Sequence, residues 1–166
     1  MKNNPTKDLL IRRIVSREVF MKYMYQKALM GEEWVDIYED LNNFLDLIEE
    51  DAMEIYNANE GKELDILETY RDSLFDSAYL MDMSSAIEEH IVEIDEYINK
   101  YARNWSIDTL PAVDVAILRV AVAEIKYSFI VPNGVACDQA VNLAKKYCDD
   151  NAYKYINGIL GSVVGK

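Results

Sequence analysis

Residues 111–127, PAVDVAILRVAVAEIKY, decide the fold of this chain. In helical projection their apolar side chains cover almost every side, and no wide polar stripe remains. A helix of this kind is normally covered by neighbours on several sides. Pro111 suits the first turn of a helix, where its missing N–H costs nothing. We therefore predict a central buried helix over 111–127.

Helical periodicity continues outward from this segment in both directions, and no alternating strand pattern persists. We interpret the short run Phe129-Ile130-Val131 as a loop because Pro132 follows it. The short joints favour packed helices within one domain, residues 1–166, over independent domains. The sequence thus predicts an all-α fold of seven to eight helices. They cover residues 7–30, 34–58, 64–76, 78–91, 93–104, 111–127, 135–148 and 152–164.

Composition limits the class of protein. Of the 166 residues, 51% are hydrophobic, which is ample for a buried core. No uncharged apolar run approaches the roughly 20 residues that a bilayer-spanning helix needs, and the N-terminus lacks the apolar segment of a signal peptide. Two cysteines do not make a disulfide framework. We expect a soluble cytoplasmic protein without a membrane partner.

Charge is distributed unevenly along the chain. The net charge is −13, but residues 1–30 carry +5, residues 31–100 carry −19 and residues 101–166 carry +1. Such a division favours different partners on different faces. The alternative is an acidic face that serves only solubility.

No group of residues indicates a catalytic, metal or cofactor site. The sole histidine, His90, has no nucleophile placed near it by a recognisable motif. Consecutive acids such as 49–51 point in different directions on a helix and cannot converge on one ion. No glycine-rich loop stands between a strand and a helix. We predict a non-enzyme with no metal and no cofactor.

Two basic-aromatic clusters are the more informative features. In the first helix, Arg13 and Arg17 share a face, with Arg12 beside them. The second cluster consists of Lys145, Lys146, Tyr147, Asn151, Lys154 and Tyr155. Cations bind phosphates and aromatic rings stack on unpaired bases, so the clusters are typical of single-stranded RNA binding if folding brings them together. The alternative is a helix surface balanced by the acidic half of the chain.

The arrangement of several motifs resembles the bacterial NusB family of transcription antitermination factors. The similarity covers about 1–30 and 78–164, whereas 32–76 match weakly and resemble an enlarged acidic insertion. The motifs are Arg13, Arg17-Glu18, Tyr25-Gln26, Ile94-Asp95, Trp105-Ser106, Ala116-Ile117-Leu118-Arg119 with Glu124, Ala140-Val141 with Leu143-Ala144-Lys145, and Lys154-Tyr155-Ile156-Asn157-Gly158.

The resemblance implies two small packed helix bundles, over 1–91 and 92–166, with the first and last helices close together. It also implies binding of boxA-type single-stranded RNA together with the ribosomal protein NusE, in an RNA polymerase antitermination complex on ribosomal RNA operons. The positions that correspond to RNA contacts are Arg13, Arg17, Asn151, Lys154 and Tyr155. Those that correspond to contacts with the ribosomal protein are Tyr25, Asp108 and Asp114, and we expect Asp114 to lie near an exposed helix start.

The acidic half leaves a second hypothesis open. The chain could be an acidic protein-interaction module with weak or no RNA binding of its own. Salt-dependent binding of a boxA oligonucleotide, with and without the ribosomal protein, separates the two hypotheses.

Overall fold

The computed structural model describes residues 6–59 and 71–165, and within these ranges it contains helices and no strand. The all-α prediction is confirmed. None of the described helices is long and apolar enough to cross a membrane. The helices are α1 (Lys7–Leu29), α2 (Ile37–Leu47), α3 (Glu49–Ala58), α4 (Arg71–Leu74), α5 (Ser77–Tyr101), α6 (Ala112–Tyr127), α7 (Asn133–Tyr147) and α8 (Ala152–Val164).

Helix α6 is the centre of the fold, as its apolar circumference predicts. It packs against α1, α5, α7 and α8. Even its polar residues Asp114, Arg119 and Glu124 are buried. Such groups need partners, because an unpaired charge in the interior is costly. Arg119 and Glu124 find theirs on other helices, and these pairs fix how those helices meet α6.

One of these pairs joins α5 to α6. The Arg119 guanidinium donates to both carboxylate oxygens of Asp95, over 2.8 and 3.0 Å. The centre of the Trp34 ring lies 5.1 Å from the same guanidinium. A bidentate pair of this kind is directional, so it sets the register between the two helices as well as their proximity.

The ends of α1 follow from local sequence. The Thr6 hydroxyl accepts a hydrogen bond from the Leu9 N–H over 3.1 Å, and Asp8 places a negative charge in the first turn. At the other end Gly31 adopts φ +67°, a conformation in which a side chain is strained. The helix predicted over 7–30 is confirmed to within one residue.

Three other predicted helices differ from the structure. The segment 34–58 is not one helix, because Ile48 leaves helical geometry (φ −112°, ψ 16°) and separates α2 from α3. Conversely, 78–91 and 93–104 form the single helix α5, which is kinked at His90 (φ −127°, ψ 15°). Most of the segment 64–76 lies outside the described residues, and α4 occupies part of the remainder. Because α5 crosses residues 91 and 92, the proposed division into two bundles there stays a prediction.

Candidate nucleic-acid and partner interface

Acidic residues of the same chain pair with the arginines of α1. Arg12 pairs with Asp8 over 3.0 Å, and Arg13 pairs with Asp76 over 2.8 Å. The Arg13 side chain is 21% exposed, so it lies at the edge of the surface. The basic character of α1 in the sequence is therefore largely neutralised in the fold.

Arg17 lies in the interior. Its Nε donates to Oε2 of Glu124 over 2.7 Å, and its guanidinium carbon lies 5.3 Å from the centre of the Tyr79 ring. The Tyr79 hydroxyl donates to the same carboxylate oxygen. Burial raises the pKa of Tyr79, and the Glu124 charge raises it further, so the phenol keeps its proton. Arg13 and Arg17 share one side of α1, but Arg17 is buried and its charge pairs with Glu124.

Another residue of α1 joins the N-terminal helix to the C-terminal part of the chain. The carboxylate of Glu18 accepts from Lys146 Nζ over 2.6 Å and from the Tyr147 hydroxyl. Lys22, one turn further along α1, lies 5.5 Å from the centre of the Tyr147 ring. Helix α1, which carries the first cluster, thus contacts Lys146 and Tyr147 of the second cluster at the end of α7.

The other lysines of the second cluster, Lys145 and Lys154, lie beyond this junction. Together with three neighbouring residues they form what we call the α7–α8 surface: Lys145, Asn151, Tyr153, Lys154 and Tyr155. The Nζ atoms of Lys145 and Lys154 lie 4.9 and 6.0 Å from the centre of the Tyr153 ring. Over residues 6–59 and 71–165, no carboxylate forms an ion pair with either lysine. Tyr155 is 40% exposed. This surface combines uncompensated positive charge with an accessible aromatic ring.

Asn151 lies at the boundary between α7 and α8. It is exposed, and its side chain caps no backbone N–H of α8. Its amide therefore remains able to donate and accept hydrogen bonds. The structure brings Asn151, Lys154 and Tyr155 together on one end of α8, whereas Arg13 and Arg17 pair with acids elsewhere.

Tyr25, the first of the predicted protein contacts, is surrounded by exposed apolar side chains. It shares a groove with Leu29, Phe44 and Leu47. Leu47, at the corner between α2 and α3, is 85% exposed. Residues 31–59 around this groove contain ten acids and no lysine or arginine. The groove is therefore mainly apolar in its lining, to which Lys22, Gln26 and Asp51 also contribute, and acidic in its surroundings.

Asp108 and Asp114 differ in their exposure. Asp108 is exposed in the loop before α6, whereas Asp114 in the first turn of α6 is only 1% exposed. Burial raises the pKa of the Asp114 carboxyl, and this effect outweighs the lowering by the neighbouring Cys148 thiol. The expectation of an exposed position for Asp114 is wrong. The segment before α6, residues 105–111, contains no pattern that indicates that the end of α7 covers this turn.

Trp105 appears in the sequence only as part of a motif, but the structure exposes it beside the α7–α8 surface. It is 56% exposed and lines a pocket of about 720 Å³ together with Asn151 and Tyr155. A large aromatic residue in a polar loop is a signal that could have identified it. Among the described residues, no three His, Cys, Asp or Glu side chains are grouped so as to hold a metal ion.

Comparison with known proteins agrees with this architecture. The family model described as the NusB family matches residues 15–165. The transcription antitermination protein NusB of Clostridium tetani is 37% identical over 153 residues, which cover 92% of this chain and 97% of that protein.

Solved structures give the same result. The NusB structure from T. maritima superposes with a TM-score of 0.63 at 26% identity, over 100% of this chain and 94% of that one. A crystal structure of the antitermination factors NusB and NusE in complex with dsRNA gives 0.62 at 25% identity, over 94% and 97% of the two chains. The chain therefore belongs to the NusB family of transcription antitermination factors, which is not a family of enzymes.

Proposed function

We propose that this chain binds boxA-type single-stranded RNA together with the ribosomal protein NusE. In this role it supports transcription of ribosomal RNA by RNA polymerase within an antitermination complex in the bacterial cytoplasm. The observation that carries the proposal is the α7–α8 surface, where Lys145 and Lys154 have no acidic partner among the described residues and Tyr155 is accessible. A solved relative that contains NusB, NusE and dsRNA supports the general assignment of RNA and NusE as partners.

On the RNA side, each residue of the α7–α8 surface makes a different type of contact. Lys154 binds phosphate, because an unpaired ammonium group on an exposed helix displaces counterions from the RNA backbone. Tyr155 stacks on a base, and Asn151 donates or accepts at a base edge or phosphate. Arg13 remains a proposed contact at the edge, in competition with Asp76. Arg17 acts indirectly, because its pair with Glu124 holds α1 against α6.

On the protein side, the partner docks on the face of α1 that carries Tyr25. Ribosomal proteins are typically basic, and residues 31–59 surround this face with negative charge that attracts them. Asp108 belongs to the same proposed interface as an exposed carboxylate. Asp114 contributes by shaping the first turn of α6 from within, since its side chain is buried.

Fluorescence anisotropy of a labelled boxA oligonucleotide tests the proposal, with and without purified NusE. We expect the affinity to fall steeply with salt and to rise when NusE is present. If NusE binds while the RNA does not, with or without NusE, the proposal is wrong and the chain is an acidic protein-interaction module.

A further inference from the structure

A pocket lies between the end of α5, the loop over 102–111 and one side of α8. Its volume is about 720 Å³. Buried Leu110 and Ile159 belong to its lining, and exposed Trp105 and Tyr155 contribute the accessible aromatic rings. We call it the Trp105 pocket. A planar ligand that enters from solvent can therefore contact both apolar and aromatic side chains.

The loop that carries Trp105 is held in place by internal hydrogen bonds. The Trp105 N–H donates to the Ala102 carbonyl over 3.2 Å, and the Ser106 N–H donates to the Thr109 hydroxyl over 2.9 Å. The Ile107 N–H donates to the side-chain oxygen of Asn99 over 2.9 Å. Because the loop backbone is already ordered, little backbone freedom is lost when a ligand stacks on the Trp105 ring.

The charged groups that line the pocket are one cation, Arg103, and two carboxylates, Asp149 and Asp150, so the lining carries a formal charge of −1. This excess of negative charge disfavours phosphate, whereas the carboxylates accept hydrogen bonds from amino groups. The uncompensated cations Lys145 and Lys154 lie on the neighbouring α7–α8 surface and do not line the pocket. The lysines that can bind phosphate therefore lie next to the pocket that can bind a base.

We propose that the Trp105 pocket holds an unpaired nucleobase of the bound RNA, in contact with the Trp105 ring as well as Tyr155. The inference rests on the proposed function and specifies its base subsite. The occupant is RNA and not a protein side chain, because Asn151 and Tyr155 belong both to the pocket and to the proposed RNA surface. The two carboxylates favour a base with an exocyclic amino group, such as adenine or cytosine, over uracil.

Tryptophan fluorescence gives a direct test, because the chain contains only two tryptophans. Trp34 lies against Arg119, away from the pocket lining. In the Trp34→Phe variant, Trp105 is the only tryptophan. We expect a boxA-type single-stranded oligonucleotide to quench its fluorescence, with the same midpoint that anisotropy gives for the labelled RNA. NusE alone should leave this signal unchanged.

Affinity measurements on the full chain complete the test. Trp105→Ala should weaken RNA binding roughly 5- to 150-fold, the range expected when one base no longer stacks. Phe129→Ala is the matched control, because Phe129 is a fully exposed loop aromatic outside the pocket and its truncation should not change affinity. If Trp105→Ala impairs folding, Trp105→Phe retains a stacking ring and should bind with near-parental affinity.

The outcomes separate this inference from the proposed function. If RNA binds but the fluorescence of Trp105 does not change and Trp105→Ala behaves as Phe129→Ala does, the pocket inference is wrong and RNA binding stands. If NusE and not RNA changes the fluorescence, the occupant is protein and the inference is equally wrong. If the parent protein binds no RNA with or without NusE, both proposals are overturned.

Discussion

Arg17 and Glu124 are 107 residues apart in sequence, yet their side chains form an ion pair of 2.7 Å in which both partners are almost fully buried. The pair joins α1 to the central helix α6, and the Tyr79 hydroxyl from α5 donates to the same carboxylate. One Glu124 oxygen, Oε1, is buried without a hydrogen-bond partner among the described residues. A carboxylate in this position depends on the Arg17 charge.

Replacement of Arg17 by alanine should therefore destabilise the fold strongly. Removing one partner leaves the other charge buried and uncompensated, which costs about 3–5 kcal/mol of unfolding free energy. Urea denaturation measures this cost. Arg17→Met combined with Glu124→Gln should recover much of it, since neither side chain then carries a charge. An unchanged urea midpoint for Arg17→Ala would contradict the structural role of the pair.

The burial of Arg17 shows what the sequence could and could not predict. Four-residue spacing correctly places Arg13 and Arg17 on the same side of a helix, but it says nothing about which distant segment covers each one. Similarly, the buried stripe of α2 continues into α3 without a change of phase, because Leu45 and Ala52 are seven residues, or about two turns, apart. No glycine or proline marks the break at Ile48, so periodicity alone predicts one helix.

Local sequence patterns were sufficient to predict features that depend on a single helix or on one continuous stretch of the chain. The apolar circumference of 111–127 predicts its central position, and the boundaries of α1 and α8 follow from nearby residues. The residues of the α7–α8 surface are contributed by one continuous stretch, so its composition is visible in the sequence. The Trp105 pocket and the burial of Asp114 depend on packing between segments distant along the chain, which no local pattern contains.

Replacing both Lys145 and Lys154 by alanine should weaken RNA binding and reduce its salt dependence. On a single strand, the slope of log K against log salt should become shallower by about 0.7 for each phosphate that the variant no longer binds. Anisotropy over a range of salt concentrations gives both quantities. Lys126→Ala is a matched control, because this exposed lysine also lies 4.9 Å from the centre of a tyrosine ring, that of Tyr97. The assignment fails if the double variant and the control have the same slope.

Replacement of Tyr25 by alanine should impair binding of NusE but not of RNA alone. Truncating an aromatic anchor at a protein interface commonly costs more than about 1 kcal/mol. Isothermal titration calorimetry with purified NusE measures the change. Tyr38→Ala serves as the control, since Tyr38 is 37% exposed and Tyr25 is 36% exposed, but Tyr38 does not line the groove. Equal weakening by the two substitutions would show that the Tyr25 groove is not the docking site.

Asp114→Asn should stabilise the protein near pH 7, because its buried carboxyl has a pKa raised above the ordinary value of 3.8. A raised acid pKa means that the folded state binds the proton more tightly than the unfolded state does. Deprotonation therefore costs stability as pH rises from 3.8 through the folded-state pKa, and the full penalty is present above that value. The asparagine variant carries no such penalty.

Thermal or urea unfolding from about pH 3.5 to about pH 7.5 measures this difference between Asp114→Asn and the parent. The gain in unfolding free energy should be largest at neutral pH and should shrink as pH falls toward 3.8, where the parent carboxyl becomes protonated in both states. Asp108→Asn is the control for the loss of one formal charge, since Asp108 lies exposed in the loop before α6. A pH-independent difference for Asp114→Asn would mean that the buried charge is not the cause, because packing effects of the substitution do not titrate.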